Sequence, residues 1–115
     1  MSQETLAQKN CVPCQSGMAP LAPIAAAEMM AELGKDWQMD ADATGLTLRL
    51  KFKGFAKAVY HANLAAFVAD QEGHHPDVAF GWGYCQVTFT THEAGGLTQN
   101  DFICAAKLDH ILAAD

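Results

Sequence analysis

The side chains best suited to proton chemistry lie in one stretch, Asp70-Gln71-Glu72-Gly73-His74-His75-Pro76, and at three later points, Trp82, His92 and Asp101. Imidazole is the side chain whose unperturbed pKa, about 6.5, suits it to giving or taking a proton near neutrality. Three imidazoles and two carboxylates spread over this part of a small chain predict general acid–base catalysis. The other two histidines fit that group poorly. His61 falls in the middle of a predicted helix with no polar partner at a suggestive spacing, and His110 lies near the C-terminus, so both read as structural or solvated.

The chain bounds what such a site can belong to. Its 115 residues leave room for one hydrophobic core. A composition of 50% hydrophobic and 17% charged residues is that of a globular protein. The most apolar segment, residues 21–33, is interrupted by Pro23, Glu28 and Glu32 and falls short of the ~20 residues a membrane span needs. Met1-Ser2-Gln3-Glu4-Thr5 lacks the basic and apolar regions of a secretory signal, so a cytoplasmic location is the default expectation. The net charge of −6, from seven basic and thirteen acidic residues, repels a phosphate backbone and argues against a nucleic-acid partner. Arg49, Lys51 and Lys53 alternate, as on the solvated face of a strand.

Cys85 and Cys104 sit in apolar segments and read as small core residues. Cys11-Val12-Pro13-Cys14 has the spacing that chelates zinc or closes a redox disulfide. A four-thiolate zinc site would need a second such pair, which the sequence lacks, and a thioredoxin-like motif would follow a strand and open a helix. The pair is either two unremarkable thiols, or a metal site or disulfide shared with a second subunit.

Residues 1–18 show no hydrophobic period and predict a flexible arm carrying the CxxC pair, and residues 19–115 a single domain. Leu21, Ile24, Ala27, Met30 and Ala31 recur at helical spacing over residues 20–33, and Gly34 is a stop. Trp37 and Met39 alternate with polar residues, and after the turn-forming Asp42-Ala43-Thr44-Gly45, residues 46–53 place four apolar side chains on one parity, predicting an antiparallel hairpin. Residues 55–72 predict a long helix with Phe55, Val59, Ala62, Ala66 and Phe67 on one stripe, ended by Gly73. Residues 78–80 and 84–91 predict a second hairpin, with His92 projecting from the end of its polar face. Thr98-Gln99-Asn100-Asp101 has capping-box spacing for a last helix whose stripe is Cys104, Ala105, Leu108, Ile111 and Leu112. The order α-β-β-α-β-β-α predicts an α+β fold of two layers, a four-stranded antiparallel sheet covered on one face by helices.

Taken together, the spacing Asp70, three residues, His74-His75-Pro76, five residues, Trp82, nine residues, His92, eight residues, Asp101 resembles the signature of the pterin-4a-carbinolamine dehydratase family, also known as the dimerisation cofactor of a homeodomain transcription factor. The likeness extends through Trp37, Phe52-Lys53-Gly54-Phe55, Thr90-Thr91-His92-Glu93 and Gly96-Leu97. The resemblance implies a dehydratase that eliminates water from 4a-hydroxytetrahydrobiopterin to give quinonoid dihydropterin, in recycling of the tetrahydropterin used by aromatic amino acid hydroxylases. It implies His75 as principal acid–base, His92 as its partner and His74 as a residue that binds and orients the pterin. Asp70 and Asp101 are implied as supports, Asp70 holding the tautomer of an imidazole across one helical turn. The implied substrate contacts are Gly73, His74, His75, Thr90, Thr91, His92 and Glu93. Trp37 and Trp82 are further candidates, either stacking on the pterin or packing. Such an elimination requires neither metal nor redox cofactor. The resemblance also implies a homodimer, with tetramers in some members, formed through sheet edges and helices. The alternatives are a protein-interaction module of the same fold, a metalloprotein using the three histidines with Cys11 and Cys14, and a relative acting on other pterins or on molybdopterin-related compounds.

Overall fold

Alternation of apolar and polar side chains builds the sheet. In a computed structural model that describes residues 4–13 and 17–114, the strands are β1 (Trp37–Met39), β2 (Leu46–Lys51), β3 (Asp77–Gly81) and β4 (Tyr84–Phe89). Every pairing is antiparallel, and the order across the sheet is β1-β2-β4-β3. Strand register gathers the apolar parity into rows: Met39, Leu46 and Phe89 form one, Trp37, Leu48, Val87 and Val78 a second, and Leu50, Cys85 and Phe80 a third. The opposite face carries Gln38, Thr47, Thr88, Arg49, Gln86 and Lys51, so the basic residues lie on the uncovered side. A one-residue slip would exchange the two sets, and the register is therefore set by burial.

The helices α1 (Pro23–Met30), α2 (Ala56–Glu72) and α3 (Gln99–Ala114) supply the second layer, with short 3-10 turns at Leu6–Gln8 and His92–Ala94. The observed order is the α-β-β-α-β-β-α expected from the sequence. Because α2 carries the chain from β2 to β3, the return hairpin lays β4 beside β2, and both inner strands gain two neighbours. Phe89, Phe102, Leu46, Leu97, Ile103 and Leu108 are the largest side chains enclosed between the layers. Each such burial contributes about 1.5–3 kcal/mol.

Two helices are rotated from their expected faces. In α2 the buried stripe is Ala58, Ala62, Ala65, Val68 and Ala69, whereas Phe55 and Phe67 are exposed. An alanine stripe lets the helix approach the sheet closely, and the bulky rings that dominate the sequence pattern are left outside. In α1 the helix begins at Pro23, buries Ala26 and packs Met29 and Met30 against the core, while Ile24 faces solvent. Both segments are rich in alanine, which suits either face and so weakens the periodic signal.

The N-terminal segment, expected to be an arm, makes specific contacts through residues 4–13. Leu6 is buried, and Lys107 Nζ donates to the Ala7 carbonyl at 2.9 Å. Asn100 clamps Val12 from both sides, its Nδ2 donating to the Val12 carbonyl at 2.7 Å and its Oδ1 accepting from the Val12 N–H at 3.0 Å. With this segment on one side and the sheet on the other, every residue from Asn100 to Ala106 of α3 is buried. Cys14 lies outside the described residues. Among the described residues no helix is long and apolar enough to cross a membrane.

Candidate active site

The end of α2 sets the directions of the adjacent histidines. Gly73 adopts φ +68°, a left-handed cap that a side chain would strain, and the His74 N–H closes back on the Ala69 carbonyl at 3.2 Å. His74 then turns inward and is 6% exposed, with its ring stacked against Phe89 at a centroid separation of 6.1 Å. His75 turns outward and is 66% exposed.

Asp101, in the first turn of α3, is fully buried. Three groups converge on it. Its Oδ1 lies 2.6 Å from His74 Nε2, and its Oδ2 accepts from Thr91 Oγ1 at 2.7 Å and from the Thr98 N–H at 2.9 Å. The Thr91 and Thr98 hydroxyls are also hydrogen-bonded, at 2.9 Å. Half of the expected capping box is present here, the Asp101 side chain serving the Thr98 N–H. The Thr98 hydroxyl is engaged with Thr91. A buried carboxylate is tolerable only when such partners replace its water.

The same contact removes His92 from the position expected for it. Strand β4 ends at Phe89, Thr91 is drawn into the interior towards Asp101, and His92 opens the following 3-10 turn instead of extending a strand face. His92 and Glu93 are exposed there, and Gly95 at φ +69° reverses the chain. Thr90 donates its hydroxyl to the Thr44 carbonyl at 2.5 Å. Thr91, fully buried, is enclosed within the support of the site.

Asp70 also takes a different partner. Helical spacing alone would aim it at His74, four residues on, but the outward swing after Gly73 places it 3.7 Å from His75 Nε2, beyond hydrogen-bond distance and 89% exposed. Trp37 takes the packing alternative. It is buried in the core, its indole N–H donating to Asp109 Oδ1 at 2.8 Å, so it packs and anchors α3 and is closed to a substrate. Trp82 stands at the β3–β4 turn, 71% exposed, where Gly83 at φ +86° provides the second turn position.

A shallow, largely apolar pocket of about 520 Å³ adjoins His75, lined also by Asn63, Phe67, Asp70, Pro76 and Val78. A larger concavity of about 590 Å³ lies on the outer sheet face among Lys35, Arg49 and Lys51. None of the three candidate histidines lines the larger one, and the chemistry therefore places the candidate site at the former. Among the described residues no three His, Cys, Asp or Glu side chains converge as metal ligands. The sequence pattern did not disclose the role of Thr98 or Phe89 in holding His74. Their signal was only a cap spacing and a strand parity.

A family model for pterin 4 alpha carbinolamine dehydratase matches residues 19–111. The chain belongs to that family. Candidate pterin-4-alpha-carbinolamine dehydratases from Methylococcus capsulatus and Halorhodospira halophila are 40% and 43% identical to it, over 95% and 91% of this chain and 95% of each relative. A transcriptional coactivator/pterin dehydratase from Brucella melitensis has a similar crystal structure, with TM-score 0.71 and 29% identity over 80% of this chain and 97% of that one. A pterin dehydratase-like RuBisCO assembly factor of the alpha-carboxysome shares the fold at TM-score 0.54 and 21% identity. Membership of the dehydratase family makes this chain a hydro-lyase with a pterin substrate.

Proposed function

We propose that the chain dehydrates 4a-hydroxytetrahydropterin by histidine general acid–base catalysis. The observation that carries this reading is the doubly engaged Asp101: one oxygen holds His74, the residue before His75, and the other holds Thr91, the residue before His92. One buried carboxylate thereby anchors the backbone beside two exposed imidazoles that belong to different elements.

The elimination needs a proton delivered to the departing C4a hydroxyl and the N5 proton taken away, giving water and quinonoid dihydropterin. His75, solvent-accessible and beside the pocket, is the principal acid–base, and His92 is its partner. Imidazole as a side chain can both give and take a proton near neutrality, which suits it to the two roles. His74 acts as a positioning residue, since its Nε2 is committed to Asp101. Asp70 provides electrostatic support to a positive His75 ring, an exposed pair worth at most about 1 kcal/mol. Gly73, Thr90 and Glu93 complete the substrate contacts with Trp82, and Thr91 serves from within.

The metabolic role is recycling of the reduced pterin spent by an aromatic amino acid hydroxylase, in the cytoplasm. The assembly is a homodimer. Exposed Phe55 at the start of α2, Tyr60 and Phe67 on it, and Phe80 on the adjacent edge strand β3 supply apolar surface for self-association. Light scattering reads the assembly directly, a monomer mass arguing against it. Stopped-flow measurement of quinonoid dihydropterin formation from chemically generated 4a-hydroxytetrahydropterin tests the reaction. Acceleration over spontaneous dehydration is the expected result, and an unchanged rate refutes it.

A further inference from the structure

Cys11, the first cysteine of the CxxC motif, takes no part in the site described above, and the structure gives it a distant partner. Cys11 Sγ lies 3.6 Å from Cys104 Sγ, although the two are 93 positions apart. The backbone around Cys11 is held in place, its N–H donating to Glu72 Oε1 at 2.7 Å while the next residue is clamped by Asn100. Cys11 is half-buried and Cys104 is enclosed, one turn after Asp101 in α3. The Cys104 thiol points back towards the His74 carbonyl, 3.9 Å away.

We propose that Cys11 and Cys104 are a redox modification site, at which a small disulfide such as oxidised glutathione closes a reversible bond that clips residues 4–13 to α3. A disulfide requires about 2.05 Å between sulfurs, so the pair must close by roughly 1.5 Å, within the reach of side-chain rotation at half-buried Cys11. Cys11, the more accessible, attacks the oxidant as its thiolate, forming a mixed disulfide and releasing one small thiolate. Cys104 then attacks Cys11 Sγ and expels the second small thiolate, which carries away the Cys104 proton as a thiol. Two protein thiols are oxidised, and one small disulfide is reduced to two thiols. In the reduced protein, contact with Cys11 and after it burial raise the pKa of the Cys104 thiol; once Cys11 is a mixed disulfide the burial remains, and it makes the second step the slow one. Clipping by this bond would be regulated in a reducing compartment, where disulfides are transient.

The test uses the full-length wild-type protein and Cys14→Ser, each incubated with oxidised glutathione and, separately, with dithiothreitol, then alkylated and mapped without reduction by tandem mass spectrometry. The expected product links Cys11 to Cys104 in both proteins and reverts with dithiothreitol. The linked form should melt higher by roughly 10 °C or more, because the bond closes a long loop. A Cys11–Cys14 link in wild type with Cys104 alkylated overturns the proposal. So does a Cys14→Ser protein that stays glutathionylated at Cys11 with Cys104 free, or one in which both thiols are alkylated after the oxidant.

Discussion

Two histidine–aspartate pairs lie side by side in this protein, and they are opposites. His74 and Asp101 meet at 2.6 Å with 6% and 0% exposure, whereas His75 and Asp70 stand 3.7 Å apart at 66% and 89%. The residue types are the same, and Gly73 alone separates the helix carrying Asp70 from the paired histidines. Burial decides what each pair can do. The inner pair is desolvated, shared with Thr91 and Thr98, and costly to disturb. The outer pair is hydrated and screened, contributes little to stability, and leaves its imidazole free to meet a substrate.

The largest effect is expected from breaking the inner pair. Asp101→Ala leaves His74, Thr91 and Thr98 without their shared acceptor in the interior, and should cost about 3–5 kcal/mol of stability, read by denaturant unfolding, together with most of the turnover. Asp101→Asn should cost less, and a loss of under about 1 kcal/mol in the alanine variant would show that the network is not a structural centre. His75→Ala acts on the other side of the comparison. It should lower the dehydration rate by about 10²–10⁴ while changing stability by no more than roughly 0.5 kcal/mol, since its side chain is mostly in solvent. Undiminished turnover would remove His75 from the mechanism.

Thr91→Val sharpens the contrast because it deletes one donor and keeps the shape. Asp101 and Thr98 each lose a partner, so a cost of about 1–3 kcal/mol is expected in thermal or urea unfolding. The turn beginning at His92 should loosen as well, lowering turnover and altering the pH profile of the rate. A stability loss with the pH profile intact would confine Thr91 to a structural role.

How much of this was legible depended on what kind of signal each residue leaves. The strands were, because Leu46-Thr47-Leu48-Arg49-Leu50 alternates strictly and the pairing of β2 with β4 requires that parity. The faces of α1 and α2 were not, because close packing used alanines, and the exposed rings of Phe55 and Phe67 pulled the apparent stripe round the helix. The histidines and aspartates stand out by type and spacing, yet spacing alone gives the wrong pairing. Helical spacing joins Asp70 to His74, and only the left-handed residue between them turns His74 towards Asp101 instead. In sequence His92 reads as the end of a strand because Thr90 and Thr91 continue the β-branched pattern, whereas the buried Asp101 withdraws Thr91 from the sheet. The Cys11–Cys104 approach had no local signature, since proximity across 93 positions is a property of tertiary packing.

Smaller effects belong to the exposed carboxylates. Asp70→Asn should change the dehydration rate by less than about fivefold, since an exposed ion pair is worth up to about 1 kcal/mol. Asp40 is a useful counterpart, exposed like Asp70 yet bonded like Asp101. It accepts from the Thr44 hydroxyl and the Thr44 N–H, both at 2.7 Å, in the turn between β1 and β2. The Thr44 hydroxyl above all holds its pKa below the ordinary 3.8; burial, the next largest effect, opposes it, and the N–H groups of Thr44 and Gly45 lower it further. A carboxyl whose folded-state pKa is lowered stabilises the fold above its unfolded value, and that contribution disappears as pH falls through the folded one. The turn should therefore lose its tie only below about pH 4. Asp40→Asn should flatten the fall in melting temperature over that acid range and leave neutral activity unchanged. An equal acid dependence in wild type and variant would show that hydrogen bonding at an exposed carboxylate is as weakly linked to stability as the bare Asp70 pair.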